Sequence, residues 1–421
     1  MAEKPQLAFV AFKQGAFIIM EGKQEADRFF IIRAGKVKIY KEAEVVKETE
    51  GDILGVGDFF GVVSAMSNHG HIETAQAITD VALISVHKNQ FEGLIQYNTP
   101  IAMKIILQFS RRMRYLDHAL TQITLKGKSE EEGSSLLWTI GTFYDRQMKK
   151  PQAFYCYHRY IKHCPNGANI AHAQERLKKL APYSSKVKLE YNTEELNRSY
   201  QKDDIIFSEG EMGDELFIIK SGSIKITKYM NNNEVLLAML KAGDIFGEMA
   251  LLESKPRSAS AIAFEDCQLM LVTRLNFQRM SETQPQIVAR LTQLLAERLW
   301  FIYKQLSNAL IEDPIQRIYD ALLMQLEKNR IPITYQQSYE CNFSPREFAT
   351  MVGIPPNDIK ALLDQLIQES ATKSIQIDSI SNNIKIINAD YIFKQCMVYR
   401  NIRKRAMARK AALENSAISS N

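Results

Sequence analysis

The stretch Gly213-Asp214-Glu215-Leu216-Phe217-Ile218-Ile219-Lys220-Ser221-Gly222-Ser223-Ile224-Lys225-Ile226 has a counterpart much earlier in the chain. Ala26-Asp27-Arg28-Phe29-Phe30-Ile31-Ile32-Arg33-Ala34-Gly35-Lys36-Val37-Lys38-Ile39 repeats its pattern of apolar run, glycine and alternating run. A Glu-Gly pair precedes each copy, Glu209-Gly210 and Glu21-Gly22. A Gly-Asp turn follows each, Ala242-Gly243-Asp244-Ile245-Phe246-Gly247 and Val56-Gly57-Asp58-Phe59-Phe60-Gly61. Short β-branched runs separated by turn glycines at this density predict an antiparallel barrel or jelly roll, and the repeat predicts two of them.

Each module leads into an amphipathic pattern, Ile101 to Leu125 and Ile287 to Leu310, whose three- and four-residue steps predict long helices. Between about Ser134 and Pro182, the order Leu137, Ile140, Gly141, Tyr144, Ala153, Tyr157, Pro165 resembles one tetratricopeptide repeat, with a further helix from Ala168 to Leu180. A single repeat cannot bury a groove-sized surface by itself, so a spacer docked on its neighbours is the preferred reading and a protein partner on the spacer the alternative.

At 421 residues, 46% hydrophobic and 24% charged, the chain has the composition of a globular protein with more than one core. No apolar run approaches the roughly 20 residues that cross a bilayer, and no signal-type core follows Met1, so the expectation is a cytoplasmic protein without a membrane partner. The five cysteines are scattered, with no Cys-x-x-Cys pair and no zinc-ligand spacing to the seven histidines, and read as ordinary thiols with no metal site. The formal charge is +5, and Arg400, Arg403, Lys404, Arg405, Arg409 and Lys410 against Glu414 place all of it in residues 399–421.

The segment Gly247-Glu248-Met249-Ala250-Leu251-Leu252-Glu253-Ser254-Lys255-Pro256-Arg257-Ser258-Ala259 breaks the β pattern with a short turn and ends in a lone arginine among small residues. Gly247 permits close backbone approach, Arg257 offers a forked cation for two phosphate oxygens, and Glu248 is an acceptor for a sugar hydroxyl. Together they describe a sugar-phosphate site. The segment resembles, almost residue for residue, the phosphate-binding cassette of the cyclic nucleotide-binding domain family. That resemblance implies that Arg257 binds the cyclic phosphate and Glu248 the ribose 2′-hydroxyl. Gly247, Met249, Ala250, Ser258 and Ala259 would shape the cassette or donate amides. Ser258, where cyclic GMP receptors of the family often carry threonine, leans the choice toward cyclic AMP, with cyclic GMP or another nucleotide as alternatives.

The first copy of the cassette, Gly61-Val62-Val63-Ser64-Ala65-Met66-Ser67-Asn68-His69-Gly70-His71-Ile72-Glu73-Thr74-Ala75, has valine in place of Glu248 and Glu73 in place of Arg257. A buried carboxylate there repels a cyclic phosphate, so no cyclic nucleotide is expected in this degenerate module. His69 and His71 beside Glu73 have no clear further ligand and read as solvated loop residues.

After the second long helix, Arg290-Leu291 through Asn308, Asp313-Pro314 and Arg317-Ile318 resemble the dimer helix, hinge and next helix of the cyclic AMP receptor transcription-factor family. Ser344-Pro345-Arg346-Glu347-Phe348-Ala349-Thr350-Met351-Val352-Gly353, with Ile359 and Leu362, has helix-turn-helix spacing, Ser344 and Glu347 forming a capping box. Residues around Ser374 to Ile387 read as a wing hairpin turning at Asn382-Asn383. Where related activators place arginines that read bases, Pro356, Asn357 and Ala361 stand here. The DNA-facing candidates are therefore Ser344, Arg346, Asn357 and Lys360, with Arg403, Lys404 and Arg405 of the basic tail. Tyr303 stands where the family contacts the purine, and either stacks on the base or packs between helices.

The expected fold is α+β and multidomain. It comprises a degenerate jelly roll with its helix (1–126), a helical spacer (127–185), a cyclic nucleotide-binding jelly roll with its dimer helix (186–312), a winged helix-turn-helix (313–398) and a basic tail (399–421). The expected function is a cyclic-nucleotide-responsive transcriptional regulator, homodimeric through its long helices and binding DNA. No nucleophile, base and oxyanion set emerges, so it is not read as an enzyme. The alternative is a cyclic-nucleotide-dependent protein-interaction regulator that does not read DNA.

Overall fold

The structure, a computed structural model, describes residues 7–23, 26–41, 53–125, 133–189, 195–230, 232–333, 338–341, 343–369 and 374–418. The first module contains β1 (Ala8–Phe12), β2 (Phe17–Ile19), β3 (Arg28–Ala34), β4 (Val37–Tyr40), β5 (Ile53–Leu54), β6 (Phe59–Phe60), α1 (Val62–Ser67), β7 (Thr74–Ala77) and β8 (Val81–His87). Helices α2 (Phe91–Tyr97) and α3 (Thr99–Leu125) follow. Its two sheets have strand orders β1-β8-β3-β6 and β2-β7-β4-β5, the face-to-face arrangement in which inward side chains of both sheets share one core. Ala75 and Ala77 on β7 let the sheets close over Ile32, Val37 and Leu83.

The second jelly roll repeats this plan strand for strand. It contains β9 (Asn197–Tyr200), β10 (Ile205–Phe207), β11 (Glu215–Ser221), β12 (Ser223–Met230), β13 (Asn233–Lys241), β14 (Ile245–Phe246), β15 (Ser260–Ala263) and β16 (Cys267–Thr273). The sheet orders are β14-β11-β16-β9 and β10-β15-β12-β13, the same as in the first module with every strand number raised by eight. Register agrees as well: Phe30 pairs with Phe60 and Phe217 with Phe246, and both phenylalanine pairs stack, at 5.4 and 5.2 Å between ring centroids.

Between the modules run α4 (Leu136–Arg146), α5 (Lys150–His163) and α6 (Ile170–Leu180), the helix pair and third helix expected of the spacer. A β-carbon on Gly141 would lie 2.9 Å from the Tyr157 ring, so the small residue is what lets α4 and α5 approach. Their core is continuous with Ile205 and Ile262 of the second jelly roll. The spacer is docked on that module, as its size required.

The second jelly roll also carries α7 (Glu248–Glu253) between β14 and β15, and continues into α8 (Arg274–Thr283) and α9 (Pro285–Ala309). Val288, Thr292, Leu295 and Leu299 of α9, at alternating steps of four and three, are all buried. The apolar face expected to form a homodimer is thus covered within one chain over this stretch.

By internal contacts the described residues form two compact units, those within 7–40, 53–118 and 133–299 in one, and residue 41 with those within 119–125 and 300–418 in the other. In the second, Asp313 caps α10 (Pro314–Lys328), its carboxylate accepting from Ile315 N–H at 2.9 Å. Asn308, buried just before the hinge, donates to the Arg317 carbonyl at 2.8 Å and to Asp320 at 3.1 Å. There follow β17 (Tyr339–Glu340), α11 (Pro345–Val352), α12 (Pro356–Glu369), β18 (Ile375–Ile377), β19 (Ile384–Ile386) and α13 (Ala389–Ile418), the strands forming one sheet ordered β17-β19-β18. Helix α13 runs through the expected boundary at 398/399, so the basic segment up to Ile418 is helical and continuous with what precedes it. Its first turns bury Ala389, Ile392 and Cys396 in the core of this unit.

His163, at the end of α5, has its Nε2 buried without a hydrogen-bond partner among the described residues. Burial, with Arg159 and Lys162 nearby, pushes its pKa down from 6.5 to about 4. The unfolded chain therefore binds this proton first as pH falls, and stability present above pH 6.5 is lost between 6.5 and 4. Allowing for partial exposure the loss should be on the order of 1–2 kcal/mol. In urea unfolding at pH 7 and near pH 4.5, His163→Gln should narrow the stability gap between the two conditions by that amount.

Candidate functional site

The cassette of the second jelly roll is built around a buried cation. Arg257, 5% exposed, lies over the Phe207 ring with Cζ 4.1 Å from its centroid and faces Phe217 at 5.9 Å. Its Nη1 donates to the carbonyls of Glu215 and Gly247, both at 2.7 Å. Two glycines make room for the guanidinium: a β-carbon on Gly213 would come within 2.5 Å of Nη2, and one on Gly247, at φ 80°, within 2.7 Å of Nη1. Nε is buried with no hydrogen-bond partner among the described residues. Removal from water pushes the Arg257 pKa down, opposed by Glu211 and Glu215.

Two further carboxylates are buried around it. Glu211 accepts from Tyr155 Oη at 2.8 Å and from Ser208 N–H at 3.0 Å, and pairs with Arg159 at 3.1 Å. Tyr155 and Arg159 both come from α5 of the spacer. The backbone of the same turn locks onto the arginine, Arg257 N–H donating to Glu211 O and Gly210 N–H to Arg257 O, each at 2.9 Å. Glu209 pairs with Lys228 at 2.9 Å and accepts from Tyr229 N–H at 2.9 Å. Desolvation raises the pKa of both glutamates.

The other expected residues gather here. Glu248, 1% exposed, opens α7 and accepts from Arg298 Nη1 of α9 at 3.0 Å. Met249 and Ala250 are buried in the first turn of α7. Ser258 directs Oγ to the Met249 sulfur at 3.6 Å while its carbonyl accepts from Lys228 at 2.8 Å, and Ala259 packs against the barrel core. Tyr303 belongs to the other unit, where it is buried with the Lys41 ammonium 5.9 Å from its ring.

In the first jelly roll the same frame holds an opposite charge. Glu73, 7% exposed, accepts from Gly61 N–H at 2.9 Å and lies 3.7 Å from Arg112 of α3. Ile19 stands at the barrel position that Phe207 holds in the second module, so no ring is present there to face a cation. His71 is buried, not a solvated loop residue as expected. Its N–H donates to Lys23 O and its carbonyl accepts from Gly22 N–H, which pin the loop onto the barrel. Among the described residues, no group of three or more His, Cys, Asp or Glu side chains is placed to hold a metal ion.

In the second unit the capping box at Ser344 is formed, Glu347 Oε2 accepting from Ser344 N–H at 2.8 Å and Ser344 Oγ from Glu347 N–H at 3.4 Å. Gly353 makes the turn at φ 64°. Ile359 is buried as expected, but Leu363 and Leu366 supply the rest of the α12 core face, while Leu362 is only partly buried. Arg346, Asn357 and Lys360 are exposed and Arg403 is partly exposed; the side chains of Lys404 and Arg405 lie outside the described residues. Arg400 is engaged by Asp320 at 2.9 Å.

Sequence reasoning missed Phe207, Gly213, Glu211, Arg159 and Arg298. Only the Glu209-Gly210-Glu211 run carried a local signal, and the others are joined to the cassette by the fold alone. Because the guanidinium rests against Gly213, Gly213→Ala should cost about 1–3 kcal/mol in chemical unfolding. Gly55→Ala, where a β-carbon meets nothing within 4 Å, should leave stability nearly unchanged.

Residues 9–98 and 197–284 each match the cyclic nucleotide-binding domain family. The cyclic AMP receptor protein of Thermus thermophilus is 29% identical over 177 residues, covering 42% of this chain and 79% of that protein. The cAMP-dependent protein kinase regulatory subunit of Debaryomyces hansenii is 25% identical over 271 residues, 64% of this chain and 44% of that protein, so the chain spans less than half of that relative. Among solved structures, the Thermus thermophilus catabolite activator protein aligns over 48% of this chain and 89% of its own, at 25% identity and a TM-score of 0.27. The chain thus carries two segments that match the cyclic nucleotide-binding domain family and is similar in sequence to the cyclic AMP receptor regulators.

Proposed function

We propose that the chain is a cyclic-nucleotide-responsive transcriptional regulator acting in the cytoplasm, in which cyclic AMP bound to the second jelly roll controls a C-terminal winged helix that engages DNA. The observation that carries the ligand reading is the buried Arg257 guanidinium, framed by Gly213 and Gly247 and left with an unpartnered Nε. A cation removed from water without a carboxylate in direct contact is unfavourable unless an anion joins it. A cyclic phosphate supplies that anion. Arg257 then holds two phosphate oxygens, and Glu248, already fixed by Arg298, accepts from the ribose 2′-hydroxyl. Gly247, Met249, Ala250, Ser258 and Ala259 form the wall.

For such a ligand to act as a switch it must bind one arrangement of the effector more tightly, by a few kcal/mol for a near-complete change of population. Support for DNA as the partner is the capped helix pair α11 and α12, with Arg346, Asn357 and Lys360 on exposed positions. A second reading, an effector that engages protein, is favoured by the tip of the β18–β19 hairpin. Ile380 there is 96% exposed, an apolar side chain where a DNA wing would offer a polar or basic one. The pairing of Arg400 with Asp320 also removes one cation from the basic segment.

In calorimetric titration, cyclic AMP should bind the full chain and Arg257→Ala should weaken binding at least ten- to hundredfold, the value of a charge-assisted bidentate contact. Unchanged affinity in Arg257→Ala would refute the site. Fluorescence titration of DNA with and without cyclic AMP at two salt concentrations separates the effector readings. Nucleotide-dependent binding that weakens with salt supports DNA, and no binding at low salt with either ligand state supports the protein-directed alternative.

A further inference from the structure

Both turns that frame Arg257 are held from outside the second jelly roll. The spacer grips one through Tyr155 and Arg159 on Glu211. The other, at residues 253–256, is gripped by α3 of the first jelly roll. Glu253, with its side chain 2% exposed, accepts from Ser110 Oγ at 2.9 Å and from Arg114 Nε at 3.2 and 3.3 Å. Arg114 Nη1 reaches on to the Pro256 carbonyl at 3.0 Å, the residue immediately before Arg257. One guanidinium therefore spans the segment that presents the phosphate-binding arginine. One turn further along α3, Asp117 lies 3.9 Å from Arg298, the residue that holds Glu248. Helices α2 and α8, which follow corresponding strands of the two modules, also touch.

The first jelly roll thus lays its long helix along the cassette of the second, while its own cassette holds Glu73 on the Gly61 N–H. A buried ion pair such as Arg114 with Glu253 adds little net stability, because desolvation offsets much of the attraction; what it does supply is a single geometry. We propose that α3 acts in cis as the positioning element of the second cassette, Ser110 and Arg114 fixing residues 253–256 so that Arg257 is already in its binding arrangement. The proposal rests on the cyclic nucleotide reading of that cassette. Releasing the clamp frees a segment that the ligand must then reorder, so affinity falls. By linkage, ligand binding must in turn steady α3.

The test is calorimetric titration of the full chain with cyclic AMP, using the parent, Arg114→Gln, Arg114→Lys, Glu253→Gln and the Arg114→Gln/Glu253→Gln double variant. Arg114→Gln and Glu253→Gln should each weaken binding about tenfold, the double variant no more than either alone, and Arg114→Lys should recover part of the loss. Amide exchange over residues 108–118 should slow on adding cyclic AMP to the parent and not to Arg114→Gln. Arg114→Gln within twofold of the parent, or losses that multiply in the double variant, would overturn the inference while Arg257→Ala still abolishes binding. A parent that binds no cyclic AMP, or an Arg257→Ala variant that binds as the parent does, would instead overturn the site itself and the inference with it.

Discussion

A guanidinium buried inside a β sandwich dominates the second jelly roll. Removing such a group from water costs several kcal/mol, and nearby groups must offset that cost. Phe207 presents its face, two carbonyls accept from one nitrogen, and Glu211 and Glu215 raise the negative potential nearby. Each requires another: Phe207 is held by tilted ring contacts with Phe217 and Phe246, and Glu211 by a tyrosine and an arginine from the spacer. The spacer is therefore part of the electrostatics of the second module as well as of its packing.

The two modules show how little of this chemistry is specified by the fold. Strand order and register coincide, down to the stacked phenylalanines. One reversal of charge, Glu73 for Arg257, replaces a buried guanidinium with a buried carboxylate that is held by a backbone N–H and Arg112. The accompanying change at the ring position, Ile19 for Phe207, follows the same logic, since an aromatic face has no use beside a carboxylate.

Much of this was legible in the sequence because it is local. The repeat, the two long helices, the cap at Ser344 and the cassette itself are patterns within a few residues of each other, and all are present at or near the expected bounds. The fate of the long helices was not legible. Their heptad-like spacing is the same whether a second chain or the same chain covers the face, and only the three-dimensional arrangement shows Val288 to Leu299 covered in cis. The partners of Glu211 and Glu253 were hidden for a related reason: they lie 52 and 139 residues away, at Arg159 and Arg114, and neither end carries a signal of the other. The burial of His71 was equally hidden, because two backbone bonds to a distant turn, not its own polarity, decide it.

Asp320 shows how closely the far end of the chain is bound to its hinge. One of its oxygens receives Asn308, which also holds the carbonyl of Arg317, and the other receives Arg400 of the last helix. A chain trimmed before residue 400 to strip away positive charge would therefore also leave a partly buried carboxylate short of its cation beside the joint. Its altered behaviour toward any polyanion would mix lost charge with a loosened pivot, whereas neutralising only the side chains beyond Arg400 would keep the two effects apart.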